Sequence, residues 1–82
     1  MPRLSTPYLW PEIVHELRSR SSVTQAELAT ALGCSVSTVS KWERGETTPV
    51  AHAQRKMDEL GRPLGYPRSG WPRKGEQRRL FF

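Results

Sequence analysis

The sequence predicts an all-α chain: a small bundle of four helices, or five, followed by an extended basic tail. Three observations predict it. Between residues 12 and 60 apolar positions recur every three or four residues in four separate runs, the period of a helix with one buried face. Each run is bracketed by residues that start or stop a helix. From residue 61 to 82 that period is lost and the charge balance moves from neutral to strongly positive.

The 82 residues have room for one domain with a thin core. The expected organisation is a lead-in at 1–11, a helical domain at 12–60 and a basic, Pro- and Gly-rich tail at 61–82. Apolar runs are two or three residues long, too short to cross a bilayer. Met1-Pro2-Arg3-Leu4-Ser5 has no apolar stretch behind it, so no signal peptide is expected. The single cysteine, Cys34, cannot form an internal disulfide, which fits a reducing cytoplasm. The net charge of +5 is unevenly placed. Residues 1–60 carry seven bases and seven acids, whereas Arg62, Arg68, Arg73, Lys74, Arg78 and Arg79 face only Glu76 in the last 22 residues. Such a tail either contacts a polyanion or serves solubility.

In the lead-in, Pro2, Pro7 and Pro11 favour extended chain, and Tyr8, Leu9 and Trp10 are placed to fold back onto the domain. The first helix is expected from Pro11 to Arg20, with proline tolerated in the first turn and Ile13, Val14 and Leu17 on one face. Thr24 and Glu27 form a reciprocal capping box that starts the second helix. Leu28, Ala29 and Leu32 are its inner face, and Gly33 ends it in a left-handed conformation. Ser35 caps the third helix, in which Val39 and Trp42 point inward while Ser37, Lys41 and Arg44 point out. Gly45 stops it. Thr48 is expected to cap the fourth helix, with Pro49 at its first position and Val50, Ala53, Met57 and Leu60 as its apolar stripe. Gly61 and Pro63 end that helix. The rest is expected to be extended, apart from the apolar end Leu80-Phe81-Phe82, which reads as a docking plug or a featureless terminus.

Two short helices joined by a tight glycine turn cross steeply, and the second can enter the major groove of DNA. Ala29 is small where the helices nearly touch, Gly33 makes the turn, and Val39 wedges beneath the outer helix. The stretch TQAELATALGCSVSTVSKWERGETTP resembles the Cro/repressor type, or xenobiotic-response-element type, of helix-turn-helix domain. The resemblance covers residues 12–60 and rests on the TQAELA opening, the LG turn, the SVSTVSKWERG helix and the following proline. Where the family often has glycine this chain has Ser22, a left-handed position that costs a serine about 1 kcal/mol. The fourth helix is also more polar than is usual in the family.

The resemblance implies a lambda-repressor-like bundle that binds double-stranded DNA as a homodimer. It implies that Gln25 contacts a phosphate at the positive end of the second helix. Ser35, Ser37 and Thr38 would lie at the start of the reading helix, with Val36 against a thymine methyl group. Ser40 and Lys41 would lie a turn further on, Lys41 donating to guanine O6 and N7. Arg44 and Thr47 would contact phosphate, and Arg18 and Glu43 would pair to tie the first helix to the third. Plainer readings stand beside these: solvated serines, Lys41 as a phosphate contact, Gln25 as an ordinary helix start. Trp42 and Cys34 read as core residues. His15 and His52 lack partners at metal-ligand spacing, and no catalytic triad or phosphate loop is present, so no metal, cofactor or catalytic residue is expected. The function expected is transcriptional regulation, by repression from a promoter occupied as a homodimer. The alternatives are an antitoxin or adaptor whose tail docks on a partner protein, and a coactivator-like module that has lost DNA binding.

Overall fold

The computed structural model describes residues 8–73. Helix α1 runs Trp10–Ser21, α2 Gln25–Leu32, α3 Val36–Arg44 and α4 Ala51–Gly61. Two short 3-10 turns follow, Arg62–Leu64 and Arg68–Gly70. Among the described residues the only extended pairing is a single antiparallel bridge between Tyr8 and Arg73.

The local signals explain where the first three helices begin and end. Pro11 sits in the first turn of α1, and Ser22 closes the helix at φ 57°, its N–H returning to the carbonyls of Arg18 and Ser19. The helix is one residue longer at each end than expected. At α2 both halves of the capping box form: Thr24 Oγ1 accepts from the Glu27 amide at 3.1 Å, and Glu27 Oε1 accepts from the Thr24 amide at 2.9 Å. Gly33 and Gly45 close α2 and α3, each at φ 76°, where a side chain would be strained.

Helix α4 departs from expectation. It starts at Ala51 after Val50, with no side-chain cap, so Thr48 and Pro49 lie outside it. Pro49 is buried in the preceding turn, and its carbonyl accepts from Gln54 Nε2 at 2.9 Å. Ala53 and Met57 are buried as expected, and Gly61 with them, whereas Val50, which precedes the helix, and Leu60 are exposed.

The expectation of an extended chain from Gly61 does not hold for residues 61–73. Tyr66 and Trp71 are buried in the same core as Trp10, Ile13, Val14 and Leu17. Pro63 and Pro67 forbid a regular helix, so the chain crosses the core in 3-10 turns instead. Tyr8, Trp10 and Trp71 form a trio with ring centroids 5.2–5.6 Å apart, tilted or edge to face. The Leu9 amide donates to the Pro72 carbonyl at 3.0 Å. Residues 8–10 and 71–73 therefore close on each other across the N-terminal end of α1, and Tyr8 and Trp10 do fold back. Arg20 fastens the far side: its Nη1 donates to the Leu64 and Gly65 carbonyls at 3.0 Å, and its guanidinium lies 4.7 Å from the Tyr66 ring centre.

Candidate nucleic-acid interface

The geometry of the site starts at Ala29. It is 2% exposed, and its carbonyl accepts from the Cys34 amide at 2.9 Å, folding the turn tightly under α3. Cys34 is half-buried against the core, and that burial raises its thiol pKa. Val39 and Trp42 anchor α3 from below, at 0% and 3% exposure. On the opposite side Val36, Ser37, Lys41 and Arg44 are exposed, while Thr38 and Ser40 are half-buried. Val36 is 48% exposed, an apolar residue held in water at the first position of the helix.

Several of these side chains are held in place. Ser35 accepts from the Thr38 amide at 3.2 Å, and the two hydroxyls lie 3.0 Å apart. Arg44 is clamped: Nη1 donates to Ser40 Oγ at 2.6 Å, and Nε and Nη2 donate to Glu46 at 2.7 and 3.3 Å. The bonds from Arg44, with the positive charge of Arg44 and Lys41, hold the Glu46 carboxyl below its ordinary pKa against the opposing effect of desolvation. Among the described residues Lys41 takes part in no ion pair. Thr47 is exposed in the loop after α3.

Behind the helix, Arg18 Nε and Nη2 donate to Glu43 at 2.8 and 3.2 Å, forming the pair that the resemblance implied. Gln25 Nε2 donates to the same carboxylate at 2.5 Å. Burial pushes the Glu43 carboxyl up, but the hydrogen bonds from Arg18 and Gln25 and the charge of Arg18 outweigh it, and its pKa falls below the usual range. Glu43 thus joins α1, α2 and α3 through one group. Sequence reasoning found the Arg18 partner but not Gln25. The bond from Gln25 depends on how α2 crosses α3, and no local spacing encodes that. The Arg44–Glu46 clamp was also missed, although its two-residue spacing across Gly45 is a local signal.

The C-terminal bases fare differently from expectation. Arg62 pairs with Asp58 at 2.7 Å, Arg68 lies over the Trp71 ring, and Arg73 lies over the Tyr8 ring. Lys74, Arg78, Arg79 and the Leu80-Phe81-Phe82 end lie outside the described residues.

The profile of the Helix-turn-helix domain family matches residues 13–62. The chain belongs to this family. Among curated proteins and solved structures none matches the chain. Membership of this family implies DNA binding, and its members are typically non-enzymatic. The matched segment stops short of Tyr66 and Trp71, so the closure of the core by those two residues lies beyond it. Among the described residues no helix is long and apolar enough to cross a membrane, and no group of His, Cys, Asp and Glu could hold a metal ion.

Proposed function

We propose that this helix-turn-helix domain is a sequence-specific transcriptional regulator of the Cro/repressor type, a repressor, reading the major groove with α3. The observation that carries the reading is the two-sidedness of α3. Val39 and Trp42 are sunk in the core, while Val36, Ser37 and Lys41 face water on a helix braced from behind by Arg18 and Glu43. A rigid helix with short polar side chains and one long donor suits close approach to base edges.

In this reading Ser35, Ser37, Thr38 and Ser40 contact bases or backbone, Val36 meets a thymine methyl group, and Lys41 donates to guanine. Arg44 and Thr47 meet phosphates. Gln25 Nε2 has two hydrogens; Glu43 takes one and the other serves a phosphate. The protein occupies a promoter in the cytoplasm as a homodimer, on half-sites roughly one helical turn apart. Selection of bound sequences from a random duplex pool tests this. An enriched inverted repeat is expected, and recovery of no preferred sequence would sink the proposal.

A further inference from the structure

Beside α4, Arg62, Arg68 and Arg73 share a cleft of about 470 Å³ with Asp58, Ser69 and Tyr8. Three arginines line it with a single carboxylate; the Arg62 guanidinium pairs with that carboxylate, while those of Arg68 and Arg73 lie over the Trp71 and Tyr8 rings. That carboxylate is fully engaged: Asp58 Oδ1 accepts from the Arg68 amide and Oδ2 from Arg62 Nη2, each at 2.7 Å. The two bonds and the neighbouring positive charges hold Asp58 ionised, its pKa below the usual range. Donors outnumber acceptors. The Arg68 Nε–H is buried with no hydrogen-bond partner, a costly state for a charged donor. Its Nη2 reaches Gln54 only at 3.4 Å. Arg73 Nη2 lies 3.4 Å from the Tyr8 hydroxyl and is otherwise exposed. The cleft has positive charge to spare, forked donors and concave shape, the features that suit a phosphate oxyanion.

Its position is also informative. Tyr8, on the rim of this cleft, lines a second hollow together with Gly45, Thr47 and Thr48, the loop that follows α3. The arginines thus continue the surface that begins at the end of the reading helix.

We infer that the Arg62–Arg68–Arg73 cleft is a phosphate-binding site. Its phosphate comes from the DNA backbone flanking the segment read by α3, an assignment that rests on the proposed function, or from free phosphate. The three arginines all come from the segment after α4, and the Tyr8–Arg73 bridge ties the last of them to the segment before α1.

The test pairs Arg62→Gln with Arg73→Gln in the full chain and leaves Arg68 on Trp71. Affinity for the selected duplex and for random duplex is measured between 50 and 200 mM salt. Loss of two phosphate contacts lowers the salt slope by about two, so the variant loses roughly tenfold less affinity than the parent across that range. The weakening is the same on both duplexes, and the Arg62→Lys, Arg73→Lys pair, which keeps the charge, restores the slope. Inorganic phosphate is titrated in parallel against the Arg68 Nε–H signal by NMR. An unchanged slope with a phosphate shift that the Gln pair abolishes keeps the site and assigns it to free phosphate. An unchanged slope with no phosphate shift overturns the inference. Because the phosphate titration needs no DNA, it decides the cleft even if no duplex sequence is selected.

Discussion

Arg18 on α1 and Glu43 on α3 meet through two hydrogen bonds, at 2.8 and 3.2 Å, with side chains only 24% and 13% exposed. Gln25 completes the arrangement from α2. Glu43→Gln is expected to cost about 1–3 kcal/mol, because it leaves the Arg18 guanidinium half-buried without its counter-charge. The folded carboxyl has a lower pKa than the unfolded one. Its stabilisation is therefore complete above the ordinary glutamate range and is lost as the pH falls through that range and then through the folded value. Thermal unfolding across pH 2 to 7 (about the range in which carboxylates titrate) checks this. The acid loss should be shallower in Glu43→Gln than in the parent.

Ser22 holds a left-handed conformation at φ 57°, the only non-glycine residue with positive φ among those described. Ser22→Gly removes a penalty of about 1 kcal/mol. Part of that gain is offset by the greater freedom of glycine in the unfolded chain. A net rise of a few tenths to about 1 kcal/mol is expected in urea unfolding with an unchanged m value. A fall in midpoint would contradict the strained turn.

Gly61 presents the opposite case. Its backbone is ordinary right-handed helix, so alanine should favour the helix by about 1 kcal/mol. A Cβ there would lie 2.1 Å from the Tyr66 carbonyl oxygen, and backbone cannot yield as a side-chain tip can. Gly61→Ala is expected to destabilise by about 1–3 kcal/mol net. Denaturant midpoints decide the sign, and the near-UV signal of Tyr66 and Trp71 should weaken with it. A stabilised variant would mean that the turn after α4 does not pack on the helix.

Lys41 is exposed on the face of α3 opposite Trp42. In the proposed reading, Lys41→Ala relaxes discrimination at one base pair by about 1–3 kcal/mol while the fold is untouched. Competition between the selected duplex and single-base variants measures it. An equal loss on selected and random duplexes would reduce Lys41 to a phosphate contact.

Much of the helix-turn-helix unit was legible in the residues. The Thr24–Glu27 box, the Ser35 cap, Gly33 and Gly45 act within one helical turn, so their partners are visible a few positions away. Helix α4 was harder. Thr48 and Pro49 form a start signal, yet Pro49 is buried before the helix begins, and of the expected stripe Ala53 and Met57 are buried while Val50 and Leu60 are not. For the candidate site, the exposed side of α3 followed from its period, but the clamp of Glu46 on Arg44 and the bond from Gln25 to Glu43 did not.

What the residues determined unaided were three helices with their ends, the glycine turns between them and the outward side of α3, because capping and helical period are short-range. The three-dimensional packing alone decided how the chain is closed. Trp71 meets Trp10, Tyr66 reaches Gly61, and Arg73 is brought to Tyr8. Aromatic burial is non-directional and acts between positions far apart in the chain, so a proline- and base-rich segment reads as tail until its two aromatics find the core.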